Sequence, residues 1–156
     1  MFIHNFTLAI KICLGEKFFK FSGRAPRAEF WYFFLFNIIL AIFIGIIDMA
    51  KLLPINISSI LNIVLFFPTL AVGVRRMHDI NKSGLIVAFF YCAFGALIVL
   101  SIAYMFLFLP IIAYICNFLL LGLFVFGLIL LYFAIKKGTS GPNRFGEDPL
   151  SHEPWA

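Results

Sequence analysis

Long apolar runs separated by short polar connectors set the pattern of the chain. The first run, FWYFFLFNIILAIFIGII, occupies residues 30–47. At 1.5 Å per residue it would rise about 27 Å as a helix, close to the thickness of a bilayer core. Trp31 and Tyr32 stand at its start, where amphipathic rings favour a membrane interface. A second run, residues 57–74, follows the connector DMAKLLPINISS, in which Pro54 and Asn56 break the helical pattern. Pro68 lies inside this second run, where neighbouring helices can tolerate the lost backbone donor. Residues 85–135 then carry no Lys, Arg, Asp or Glu. That stretch is too long for one crossing, and Pro110 divides it into helices of about 85–109 and 111–135 joined by a tight turn. Ahead of all four, Phe6, Ala9, Ile10 and Cys13 recur at helical spacing. They suit a short N-terminal interfacial helix whose Lys11, Lys17 and Lys20 could reach lipid head groups.

The reading is therefore an all-α integral membrane protein with four transmembrane helices. Residues 1–149 form one membrane domain and 150–156 a short C-terminal tail. Composition agrees: 63% of residues are hydrophobic, 12% are charged and mean hydropathy is +1.08. A soluble domain carries roughly a quarter charged residues. Charge also orients the spans. Eleven of the twelve Lys and Arg residues fall in the N-terminal flank, the 75–84 connector and the tail after residue 135; only Lys51 falls elsewhere. Four spans put all three basic regions on the cytoplasmic side, N-in and C-in, whereas three would leave the basic tail outside.

The net charge of +5 does not suggest nucleic acid, because the basic residues border apolar spans, where anionic lipids are the nearer partners. Cys13, Cys92 and Cys116 show neither a CxxC spacing nor an even framework. No cofactor is expected.

Polar chemistry concentrates in three short segments. The connector RRMHDINKSG packs Arg75, Arg76, His78, Asp79 and Lys82 into eight positions. Arg75 and Arg76 stand four and three residues before Asp79, a spacing that allows weak exposed pairs on a continuing helix, and NKSG reads as the helix exit. Ahead of the first span, Arg24, Arg27 and Glu29 lie in FSGRAPRAEFW; Pro26 suits an early helical position and Glu29 a local arginine partner. In the tail, GTSGPNRFGEDP supplies Asn143, Arg144, Glu147 and Asp148, with Gly138 and Gly141 as helix terminators. Arg24, Arg27, Arg75 and Arg76 are candidate donors to phosphate head groups, with Glu29, Asp79, Glu147 and Asp148 holding the basic groups in place. His78 beside Asp79 is too small a set for a metal site, and Ser83 with His78 does not define a hydrolytic geometry. Within the spans, Asn37, Asn62 and Asn117 suit interhelical hydrogen bonds. Gly95, Ala96, Gly122 and Gly127 suit close helix packing.

Taken together, FSGRAPRAEFWYF, FFPTLAVGVRRMHDINKSG and GPNRFGEDP resemble the DUF805 family of small bacterial inner-membrane proteins. The resemblance spans about residues 10–149, and Ala25 and Met77 are its modest departures. It implies a helical fold, an inner (cytoplasmic) membrane location and no catalytic assignment; that both termini are cytoplasmic is the expectation from charge alone. The motif positions Arg24, Arg27, Glu29, Arg75, Arg76, His78, Asp79, Asn143, Arg144 and Asp148 then form a lipid-headgroup or structural motif. The functional expectation is a non-enzymatic module that interacts with anionic membrane lipids, a membrane-protein partner or further copies of itself. The alternative is a transporter or channel subunit acting as an oligomer.

Overall fold

The computed structural model describes residues 1–51, 57–107 and 109–151. The break expected at Pro54 and Asn56, Phe108 and residues 152–156 of the tail lie outside the described residues. Five α-helices run in order: α1 Phe2–Lys11, α2 Arg27–Met49, α3 Ile57–Asp79, α4 Leu85–Leu107 and α5 Pro110–Ile135. The last four are long and apolar enough to cross a membrane. At 1.5 Å per residue the 23-residue helices rise about 35 Å. Two compact units emerge, one of residues Met1–Gly84 with Lys137–Ala156, the other of Leu85–Lys136.

In the first unit α1 lies along α2, with the rings of Phe2 and Phe6 edge-on to Tyr32 at 5.4 and 6.5 Å. Ala9 and Cys13 are fully buried, so the sequence face that contains them is the packed one. A π turn, Ile12–Glu16, continues α1. The core joins Cys13, Ala25, Phe33 and Val72. α3 is the most enclosed of the four long helices, with 44% of its apolar window buried against 11% in each of the others. The second unit is a hairpin of α4 and α5. Pro110 opens α5 behind the extended Leu109, where a missing N–H costs nothing. Phe89 and Phe90 meet Phe126 at 6.0 and 5.8 Å. Gly127 faces the Phe90 ring, while a Cβ on Gly95 or Gly122 would meet open space.

Much of the remaining apolar surface is bare: Phe43, Ile63, Val99, Phe118 and Phe124, among others, are exposed. Water would not tolerate so much apolar surface, but lipid does. One expectation is corrected here. Asn37 and Asn117 do not bond across helices; each donates to the carbonyl four residues earlier in its own helix, from Phe33 at 2.8 Å and Ala113 at 3.0 Å. That back-bond occupies one amide donor without a partner helix. Asn62 is exposed.

Two helix boundaries position the polar site. α2 begins one residue after Pro26, which is extended and acts as N-cap rather than first helical residue. α3 runs five residues past the apolar stretch and then stops at a left-handed Asn81, φ +58°. There Lys82 N–H donates to the Met77 carbonyl at 2.9 Å and Asn81 N–H to the His78 carbonyl at 3.0 Å. This is the Schellman closure, in which asparagine is the common substitute for glycine.

Candidate functional site

The three polar segments converge on the C-terminal end of α3. Successive helical residues are about 100° apart, so Arg75 and Arg76 leave α3 in different directions. Arg76 pairs with Asp79, one turn on. Arg75 does not; it pairs with Glu29 of α2, 46 residues away in sequence. Two expectations are thereby corrected. Glu29 takes no local arginine, and the pairs on α3 are buried rather than exposed: Glu29, Arg75 and Arg76 are 0% exposed.

Glu29 also accepts from Lys17 Nζ at 3.5 Å, and the Cys13 thiol points at its Oε1 at 3.9 Å. Lys17, read from sequence as a head-group anchor, is therefore an internal partner. Burial pushes the Cys13 thiol up to about 12, with the Glu29 charge adding to the effect. Two donors of Arg75, Nε and Nη2, are buried and make no hydrogen bond.

Asp79 is the second centre. Arg24 Nε donates to its Oδ1 at 3.0 Å, and Arg76 donates to Oδ2. The remaining Arg24 donors reach the tail: Nη1 donates to the Gly141 carbonyl at 2.7 Å and Nη2 to the Thr139 carbonyl at 2.5 Å. Thr139 answers through its N–H and hydroxyl, both donated to the Asp79 backbone carbonyl, at 2.9 and 3.0 Å. Gly138 passes so close that a Cβ there would strike the Asp79 carboxylate. Gly138 is thus a close-approach position; α5 has already ended at Ile135. The first segment is tied in again by Ala25 N–H, which donates to the Arg75 carbonyl at 3.0 Å.

His78 anchors the rest of the tail. Its ring stacks on Phe145 at 3.9 Å and 4°, and in the Nδ1–H tautomer Nδ1 donates to the Gly23 carbonyl at 3.0 Å. Gly23 has φ +83°, a backbone geometry that glycine adopts without strain. Asn143 Nδ2 donates to the His78 carbonyl and to Thr139 Oγ1, at 3.0 and 2.9 Å, while its Oδ1 accepts from Phe145 N–H. Arg144 lies 4.7 Å above the Phe145 ring and donates to the Asn81 carbonyl at 3.3 Å. Asp148 accepts from Gly141 N–H at 2.9 Å and Leu150 N–H at 3.0 Å, and these bonds hold its carboxyl below the ordinary value of 3.8.

Arg27 is the exception. It is exposed and forms no ion pair among the described residues. With Lys137, Ser140 and Asp148 it borders an open cavity of about 40 Å³ whose inner wall includes Arg24 and Asp79. Among the described residues no three His, Cys, Asp or Glu side chains gather as a metal set. Sequence reasoning assigned no partner role to Cys13, Lys17, Gly138 or Thr139. Gly138 was read as a helix terminator, and only the quoted GTSG stretch drew attention to Thr139.

An all-helical architecture with four helices long and apolar enough to cross a membrane defines a multi-pass membrane protein. Residues 18–147 match the family described as "Protein of unknown function (DUF805)". The chain belongs to this family. It is 33% identical to the inner membrane protein YhaI of Escherichia coli (strain K12) over 135 residues, covering 86% of this chain and 89% of the relative. It is 32% identical to the inner membrane protein YhaH of the same organism over 141 residues, covering 86% and 90%. No solved structure matches it.

Proposed function

We propose that the protein is a non-enzymatic inner-membrane module that gathers anionic lipid head groups on a basic cytoplasmic face, with both termini on that side. The supporting observation is how the buried polar clasp divides the charges. Glu29 and Asp79 are consumed inside it by Arg24, Arg75, Arg76 and Lys17. Lys11, Lys20, Arg27, Lys137 and Arg144 of the same unit are exposed, accompanied by few exposed acids. Each basic residue near an anionic leaflet contributes about 1 kcal/mol of attraction. In this reading the headgroup donors are the exposed basic residues, while Arg24, Arg75 and Arg76 hold the scaffold. Transport by an oligomer draws less support, since Asn37 and Asn117 spend an amide donor within their own helices.

The test is lipid retention. The full chain is extracted gently from membranes of mixed phosphatidylglycerol and phosphatidylcholine, and the intact particle is weighed by native mass spectrometry. Selective retention of the anionic lipid, reduced by neutralising exposed lysines, is expected. Retention in proportion to the bulk lipid composition would refute the reading.

A further inference from the structure

The open cavity beside Arg27 has a balance of donors that points to one ligand chemistry. Of its charged walls, Arg24 and Asp79 are already matched. Arg24 donates to Asp79 and to two tail carbonyls, and Asp79 takes Arg24 and Arg76. Asp148 faces the same space as an anion; each of its oxygens accepts a backbone N–H, which leaves its charge in place, and that charge attracts Lys137. Three donor groups on the rim make no direct pair: the Arg27 guanidinium and Lys137 ammonium form no ion pair among the described residues, and no hydrogen bond engages the exposed Ser140 hydroxyl. All three border a space of about 40 Å³ that opens outward. Pro26 and Arg27 make the wall at the start of α2, whose first turn has no side-chain cap, so its dipole adds to the positive field.

We propose that this cavity is a seat for a terminal phosphate monoester, held by Arg27 and Lys137 with Ser140 as third donor. The proposal rests on the headgroup reading above and names its site. Arg27 and Lys137 oppose the double charge of a monoester, with Asp148 subtracting from their field, and three donor groups match its three free oxygens. A phosphodiester offers only two free oxygens and a single charge. The volume suits one tetrahedral oxyanion rather than a sugar or a base, and the open mouth lets an ester chain lead away. The same chemistry is presented by phosphatidic acid and by free inorganic phosphate.

The experiment titrates purified full-length protein in nanodiscs with phosphatidic acid, phosphatidylglycerol and phosphatidylcholine, read by native mass spectrometry, with inorganic phosphate as competitor. One phosphatidic acid per chain is expected, bound more tightly than phosphatidylglycerol. Arg27→Gln/Lys137→Gln should weaken it roughly tenfold or more, as expected for two lost charge-assisted contacts, and Lys51→Gln, at an exposed position outside the cavity and outside the headgroup donors named above, should leave it intact. Displacement by inorganic phosphate would make free phosphate the ligand; resistance to it would make the lipid the ligand. Both outcomes support the phosphate seat. Should the double variant fold poorly, Ser140→Asp, at an exposed tail position, places a negative charge at the mouth and should give the same loss. Equal binding of the two anionic lipids, unchanged by the Arg27/Lys137 and Ser140 variants, overturns the seat. In that case a loss in Lys11→Gln/Lys20→Gln would leave the general headgroup reading standing. No preference for either anionic lipid over phosphatidylcholine would defeat both.

Discussion

Glu29 and Asp79 each hold cations out of water, and the energetics of such buried pairs are asymmetric. Desolvating two charges offsets most of their attraction, but removing one partner strands the other. Arg75→Met alone should therefore cost about 3 kcal/mol or more, because Glu29 is left buried with only Lys17 to answer it. The double change Glu29→Gln/Arg75→Met should cost less than the sum of its parts, and Arg75 already buries two donors without hydrogen bonds. Thermal unfolding of the four species in detergent checks this; additive losses would disprove the coupling. Gly138→Ala should destabilise by about 1–3 kcal/mol, because its Cβ runs into an Asp79 carboxylate pinned by two arginines. The Cys13 thiol, raised to about 12, should resist iodoacetamide at pH 8 until the chain is denatured. Rapid labelling of the folded protein at Cys13, as distinct from Cys92 and Cys116, would contradict the packed thiol. Spacing made the Arg76–Asp79 pair legible in the sequence, but not the partners of Glu29 and Arg24. The Glu29–Arg75 pair exists only once α2 and α3 pack, and spacing along one helix pointed Arg75 toward Asp79 instead.

At the scale of elements, the end of α3 carries the site. Hydropathy ends the apolar run at Val74, yet the helix continues to Asp79 because its last turn is buried beneath the tail and closed by the Schellman bonds. The NKSG stretch announced an exit, and Asn81 proves to be its left-handed residue. Asn81→Gly should be tolerated, whereas Asn81→Val should cost about 1–2 kcal/mol, since a β-branched residue resists that conformation. Equal stability of the two variants would argue against the left-handed cap. The break at Pro110 was legible for a simple reason: a long uncharged stretch must turn somewhere, and proline fits a helix start. The tail fold was legible only as a list of turn residues. What holds it is a set of contacts made after α5 returns the chain: Thr139 to the Asp79 carbonyl, Asn143 to the His78 carbonyl, Phe145 on His78. Asp148 closes this tail through two amides. Its lowered carboxyl means this contribution is full above the ordinary value of 3.8 and is lost as pH falls through the lower folded value. The Gly141 and Leu150 amide resonances should therefore shift with a midpoint below 3.8. A midpoint above it would have the sign wrong.

For the whole molecule, hydropathy located four spans because lipid replaces water around them, and the exposed faces of α2, α4 and α5 need no protein cover. What hydropathy could not convey is that segments separated by two spans on either side share one charge network. Arg24, Asp79 and Thr139 stand more than fifty residues apart in sequence but exchange hydrogen bonds directly. That connection requires the first segment, the α3 exit and the tail to lie on one side of the membrane; that this side is the cytoplasmic one is the proposal drawn from charge. The measurement that tests it most directly uses spin labels on a cysteine-free background at Ser22 and Ser140, and at Asn81 and Ser140, with distances read by pulsed electron resonance in nanodiscs. One short, narrow distance for each pair, broadened by Asp79→Asn, is the predicted result. Long or broad distances in the unmodified network, unaffected by Asp79→Asn, would mean that the three segments are independent and that there is no clasp.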